Sequence, residues 1–136
     1  MRGAIQAAHY DHGRNFIAIL KGAKRYLIQP PSACRDLLLL GRDHPSARHS
    51  SFDWAAAEET FDFESKEREK FCASEATELV LRAGQVLYLP SYWFHYIVSL
   101  NRNVQCNSRS GSGEAPAREI NRCMQTSTLE EPTGAW

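Results

Sequence analysis

Apolar and polar residues alternate with a period near two through the first third of the chain. Asn15, Ile17 and Ile19 fall on one side of this alternation and Phe16, Ala18 and Leu20 on the other. The segment from 6 to 29 therefore reads as short strands with both faces largely covered, the sign of a buried sheet. Lys21-Gly22-Ala23-Lys24 carries the glycine that a tight reversal needs, and Arg25-Tyr26-Leu27-Ile28 is expected to return as the second arm of a hairpin. Pro30-Pro31 then stops the strand. Residues 32–76 change character, with leucines clustered at 37–40, turn formers at 41–51 and a run of mixed charge at 64–70. This stretch is expected to be a partly helical insertion whose charged run is a solvated helix face. Strand character resumes at 77–81, turns at Arg82-Ala83-Gly84-Gln85, and continues through 86–89, 94–100 and 103–109 around the turn Asn101-Arg102. About seven short strands with one long insertion predict a mainly β fold, a sandwich or barrel. The domain is expected over 1–109, followed by a tail at 110–136 with one helix at 114–124 and a poorly ordered end from 126.

Composition narrows the function classes. The chain has 136 residues, 43% of them hydrophobic, enough for one core. Sixteen basic and sixteen acidic residues give a formal net charge of zero, so no overall field draws nucleic acid, and direct nucleic-acid binding is not expected. The longest apolar run, Phe16 to Leu20, falls far short of the roughly 20 residues needed to cross a bilayer. No membrane association is expected, and residues 1–8 show no secretory signal. Cys34, Cys72, Cys106 and Cys123 form no C-x-x-C pair and no zinc-finger spacing, so they read as free thiols in a reducing compartment, the cytoplasm or nucleus.

The candidate chemistry lies in three residues. His9-Tyr10-Asp11 places an imidazole and a carboxylate two apart, on one face of a strand. A second imidazole would complete the two-His, one-carboxylate facial triad, which suits Fe(II) because it leaves coordination positions open. His95, within Val86-Leu87-Tyr88-Leu89-Pro90-Ser91-Tyr92-Trp93-Phe94-His95, is the best candidate, because its aromatic and aliphatic neighbours keep the ring dry and neutral. His12, His44 and His49 read as ordinary hydrogen-bonding or solvent-facing residues.

With these residues in order, the chain resembles the Jumonji-C, cupin-like family of Fe(II)- and 2-oxoglutarate-dependent oxygenases, above all its asparaginyl-hydroxylase-like branch. The resemblance runs from His9 to Asn107 through His9-Tyr10-Asp11, Asn15-Phe16, Lys21-Gly22-Ala23-Lys24-Arg25, Pro30-Pro31, the stretch from His44 to Ser50 with Asp53, Gly84 to Pro90, Trp93-Phe94-His95 and Asn107. It implies a double-stranded β-helix (a cupin or jelly-roll barrel) with iron held by His9, Asp11 and His95. By the same resemblance Lys24 pairs with the distal carboxylate of 2-oxoglutarate; a dicarboxylate entering an apolar barrel needs a buried counter-cation. Asn15 and Asn107 match positions near cosubstrate and metal, and Arg48 matches an arginine on the substrate side. Arg48 paired with Asp53 as a structural salt bridge is an equally good reading. The implied reaction couples decarboxylation of 2-oxoglutarate by O2 to hydroxylation of a C–H bond, with a protein or peptide as substrate.

Departures from the pattern bear on the substrate more than on the metal. Gln6 stands where the family commonly has a small hydroxyl residue, His49 where this branch has a glutamine, and Arg109 where it has a tryptophan. Only eight residues precede His9, so the chain is expected to be an incomplete version of a longer protein. The competing readings are a metal-binding cupin that does not use 2-oxoglutarate and a truncated, non-catalytic interaction module. Demethylation is less favoured than hydroxylation, and a homodimer through the C-terminal helix is left open.

Overall fold

The computed structural model describes residues 3–51, 54 and 72–127. Among them the chain forms seven strands: β1 (Ile5–Tyr10), β2 (Arg14–Lys21), β3 (Ala23–Gln29), β4 (Thr77–Arg82), β5 (Val86–Leu89), β6 (Phe94–Ser99) and β7 (Val104–Ser110). A 3-10 turn at Pro31–Arg35 follows β3, and helix α1 (Glu114–Ser127) follows β7. The strands form a four-stranded sheet ordered β1-β6-β3-β4 and a three-stranded sheet ordered β5-β2-β7, with every pairing antiparallel. Successive strands alternate between the two sheets, except that β3 and β4, which bracket the insertion, are neighbours in one. This winding is the double-stranded β-helix, mainly β as expected.

The alternation corrects the hairpin reading. The reversal at Gly22 is a corner between sheets, and β3 pairs with β4 and β6, not with β2. Gly22 has φ of +77°, and a Cβ there would lie 2.4 Å from the Arg102 carbonyl oxygen and 2.4 Å from Asn101 Oδ1, so glycine is required. Asn101 Oδ1 accepts a hydrogen bond from the Ala23 N–H at 2.9 Å, joining this corner to the one between β6 and β7. A turn signal marks where a chain reverses, whereas the partner of the next strand is set by burial at long range.

The burial of β2 is also one-sided. Asn15, Ile17 and Ile19 are buried as expected, but Phe16 and Leu20 are 51% and 63% exposed. The small sheet covers the barrel with one face, and its outer face is open among the described residues.

Two apolar clusters hold the fold. Ile17, Ile19, Tyr26, Ile28, Leu81, Leu89 and Ile97 fill the space between the sheets. Tyr10, Phe94, Leu37, Ile120 and Met124 pack behind the large sheet, where α1 and the 3-10 turn cover β1 and β6. A disulfide between Cys34 and Cys123 ties that turn to α1, which corrects the reading of all four cysteines as free thiols. The pairing partners are 89 positions apart, and only the docking of α1 brings them together. Cys72 and Cys106 are free and exposed. No helix among the described residues is long and apolar enough to cross a membrane. Helix α1 runs past the expected end at 124, while the charged run 64–70 and Asp53 lie outside the described residues.

Closing a loop of 89 residues limits the unfolded chain by at most roughly 4 to 5 kcal/mol. Reduction, or Cys34→Ser, is expected to lower the urea midpoint and to release α1 first. Equal midpoints with and without reductant, measured by far-ultraviolet circular dichroism, would show that the bridge does not form in solution.

Candidate active site

The site starts from the register of two strands. In the β1–β6 pair His9 stands opposite His95 and Tyr10 opposite Phe94. Directly opposed residues of antiparallel strands share a face, so the two imidazoles point into the barrel while Tyr10 and Phe94 pack outward under α1. The ring centroids of His9 and His95 are 4.3 Å apart. An irregularity in the ladder between Gln6 and His9 brings the start and end of β1 into their observed register.

Asp11 lies one residue past the end of β1, in the turn toward β2. Its main-chain oxygen accepts a 2.8 Å bond from the Tyr92 N–H. Tyr92 holds a positive φ of 63°, a conformation that costs a bulky residue energy and persists only when its surroundings impose it. This bond ties the turn carrying Asp11 to the turn that leads into His95. Ligand atoms of His9, Asp11 and His95 all lie within 4.8 Å of one another.

The electrostatics suit a metal. His9 Nδ1 lies 2.8 Å from the Ala7 carbonyl oxygen and His95 Nδ1 lies 3.1 Å from that of Trp93. A carbonyl can only accept, so each Nδ1 carries the proton and each Nε2 keeps its lone pair. Burial pushes His95 down to about 4, and the neighbouring His9 adds to the effect; burial likewise lowers His9. Both rings are thus neutral, the ligating form, at physiological pH. Two neutral imidazoles and one carboxylate fit a divalent ion with open positions.

Asp11 is held from both sides. Arg48 Nη1 donates to Oδ1 at 3.3 Å and Arg109 Nη2 lies 3.2 Å from Oδ2. Arg48 therefore meets a carboxylate that the sequence reading did not assign to it. Among the other candidates, Lys24 stands opposite Ser99 on β6, in the inner row that also holds His95 and Ile97. Four residues of strand separate that position from His95, roughly 13 Å. The Lys24 side chain has no ion pair or hydrogen bond among the described residues, and burial lowers its pKa. Asn15 is 2% exposed, and its Oδ1 is buried without a hydrogen-bond partner among the described residues. Asn107 stands opposite Ile17 on the inner face, at the open edge of the small sheet.

Two contacts were not anticipated. His49 stacks on His9 with centroids 5.0 Å apart, and Arg109, noted in the sequence only as a departure, reaches Asp11. Gln105, Asn107 and Arg109 share one face of β7, but Ser108 and Ser110 between and after them are polar too, so alternation alone does not single that face out.

A double-stranded β-helix with a His-x-Asp and a distant His converging inside it defines a cupin whose site could hold a metal ion. The cupin-like domain family matches residues 1–108, and the chain belongs to it, among the Jumonji-C proteins. It is similar to the lysine-specific demethylase JMJ31 of Arabidopsis thaliana, 27% identical over 104 residues, 76% of this chain and 18% of that protein. It is similar to the bifunctional peptidase and (3S)-lysyl hydroxylase JMJD7 of Homo sapiens, 26% identical over 117 residues, 69% of this chain and 34% of that one. The tRNA wybutosine-synthesizing protein 5 of Gallus gallus is 28% identical over 102 residues, 73% of this chain and 28% of that protein. The chain spans between about a fifth and a third of the length of these relatives.

The buried neutral His95 makes the metal-free protein sensitive to acid. Its pKa is about 4 folded against 6.5 for an exposed histidine, so between these values the unfolded chain binds more protons and stability falls as pH falls. The full loss below pH 4 is on the order of 3 kcal/mol. Urea midpoints from pH 7.5 to 4.5 are expected to fall more steeply for the unsubstituted protein than for His95→Gln. Parallel curves would assign the acid sensitivity elsewhere.

Proposed function

We propose that the protein is an Fe(II)- and 2-oxoglutarate-dependent oxygenase that hydroxylates a protein side chain. The observation that carries this reading is the approach of His9, Asp11 and His95 ligand atoms to within 4.8 Å of one another, with Lys24, whose side chain has no partner among the described residues, on the same inner wall. His9, Asp11 and His95 would hold the iron. Lys24 would neutralise the distal carboxylate of 2-oxoglutarate, and the amides of Asn15 and Asn107 would line its flanks; the orphaned Asn15 Oδ1 marks a polar group that awaits a partner. When bound, iron and 2-oxoglutarate supply the oxidising chemistry, consuming O2, releasing succinate and CO2, and leaving a hydroxyl group on substrate carbon.

The chain's own work is positioning. Backbone carbonyls fix both imidazole rings, two guanidiniums orient Asp11, and the apolar cluster between the sheets keeps water from the reacting centre. Arg48, 45% exposed at its side chain, stands on the open side where substrate would enter. The names of the demethylase and lysyl hydroxylase relatives support a protein substrate, and the absence of net charge supports it over nucleic acid. A ferrous centre suits a reducing compartment, cytoplasm or nucleus, in which the Cys34–Cys123 pair would be subject to reduction. Helix α1 buries Ile120, Cys123 and Met124 against its own barrel, so a homodimer would use its other face.

Protein loaded with Fe(II) without oxygen and then exposed to air is expected to convert 2-oxoglutarate to succinate without added substrate, and His9→Ala to abolish this. Lys24→Ala is expected to raise the KM for 2-oxoglutarate about tenfold or more, the scale of a lost charge-assisted pair. Succinate formation with an unchanged KM in Lys24→Ala would remove Lys24 from the site. No succinate from an iron-loaded, folded protein would favour a non-catalytic module.

A further inference from the structure

The inner row of β7 is polar throughout, where the facing row of β2 is apolar at two of its three positions. Gln105 stands opposite Ile19, Asn107 opposite Ile17 and Arg109 opposite Asn15, so all three share the face that β2 turns into the barrel. One end of the row reaches the large sheet and the other the turn that follows β1. Arg109 meets Asp11 at 3.2 Å, while the hydroxyl of Tyr26 on β3 donates to Gln105 Oε1 at 2.9 Å. Gln105 Nε2 in turn donates to Asn107 Oδ1 at 2.5 Å.

This chain of hydrogen bonds has a direction. Tyr26 is fully buried in an otherwise aliphatic cluster, so its O–H has one acceptor to find, and donating to it turns the Gln105 carbonyl toward β3. The Gln105 N–H2 must then face Asn107 and meet its carbonyl oxygen. What remains of Asn107 for a ligand is its N–H2, a donor. Burial holds the Tyr26 phenol up to about 12, so the direction is the same at every physiological pH. Lys24 lies two residues before Tyr26 on the same inner face, and the row runs from Gln105, bonded to Tyr26, to Arg109, paired with Asp11.

We propose that Tyr26 and Gln105 are positioning residues for the cosubstrate, a clamp across the barrel that makes the Asn107 amide present its N–H2 to an acceptor-only dicarboxylate. This rests on the oxygenase reading and adds two residues to it. The clamp predicts a sign that packing alone does not. Gln105→Glu keeps the acceptor for Tyr26 but has no N–H for Asn107, so the Asn107 amide must turn and offer its oxygen to an anion. Gln105→Glu should therefore weaken binding more than Gln105→Ala.

The test is calorimetric titration of 2-oxoglutarate into Mn(II)-loaded protein, with circular dichroism as the check on folding. Tyr26→Phe, Gln105→Ala and Gln105→Glu are each made with Asn107 intact and with Asn107→Ala. With Asn107 intact, Tyr26→Phe is expected to raise Kd about tenfold, the scale of one hydrogen bond to a charged group, and Gln105→Glu to raise it further. In the Asn107→Ala background these increments should vanish, because the clamp acts only through that amide. Increments that persist there would show a packing or charge effect and overturn the clamp, as would an unchanged Kd for Tyr26→Phe. Gln105 lies on a partly exposed edge strand, so its variants keep the test decisive even if Tyr26→Phe unfolds. If the unsubstituted, folded, metal-loaded protein takes up no 2-oxoglutarate, the oxygenase reading falls and the clamp with it; binding that the variants leave untouched removes the clamp alone.

Discussion

The opposition of His9 and His95 across β1 and β6 is the constraint from which the site follows. A period of two means that a slip of one residue would turn either imidazole out of the barrel. The register is fixed by the residues beside them, since Tyr10 and Phe94 face outward into the cluster beneath α1 while His95 and Ile97 face inward. Aromatic packing on one face of the sheet thus positions the candidate ligands on the other. The Cys34–Cys123 bridge belongs to the same device, because it fastens the helix that covers those aromatics.

Burial that would be costly for charged groups is tolerable here because the histidines are neutral and satisfied. Each donates to a backbone carbonyl two residues before it in the chain, an interaction that the extended strand supplies locally. Asp11, which carries the charge, sits at the strand's end where it is partly exposed and two arginines reach it. The barrel therefore keeps its neutral ligands deep and its anionic ligand at the rim, an order that minimises desolvation while the three donor groups still converge.

Strand positions were legible in the sequence because local alternation and Gly, Pro and Asn turns mark them; His9 and Asp11 were legible as a His-x-Asp pair, and His95 through its aromatic and aliphatic setting and the motifs around it. Pairing was less so. The corner at Gly22 looks like a hairpin locally, and only the burial of Tyr26 and Ile28 against β6 and β4 sends β3 to the other sheet. The exposure of Phe16 and Leu20 was hidden for a related reason: alternation identifies two faces without saying which of them finds a cover. Cys34 and Cys123 carry no spacing signal, and Arg48 was weighed against Asp53 because that acid is near in sequence, whereas Asp11 is near in space. Arg109 was visible only as a mismatch to a resemblance, until its register opposite Asn15 put it on the inner wall.

The balance of charge along the inner wall bears on the kind of ligand proposed for it. Lys24, Arg48 and Arg109 stand around the inner wall and its rim with Asp11 as their one acidic counterpart among these site residues. The two arginines are partly exposed, so their pairing with Asp11 is screened by water and weakly held. A divalent cation can share that carboxylate at small cost, and the neutral rings add no charge against it. Binding it would make the inner wall more positive, and Lys24, four residues of strand from His95, has no ion pair among the described residues. On the proposed reading, an elongated dianion would offset both the cation and the ammonium. A neutral or monoanionic ligand would leave one of the two uncompensated.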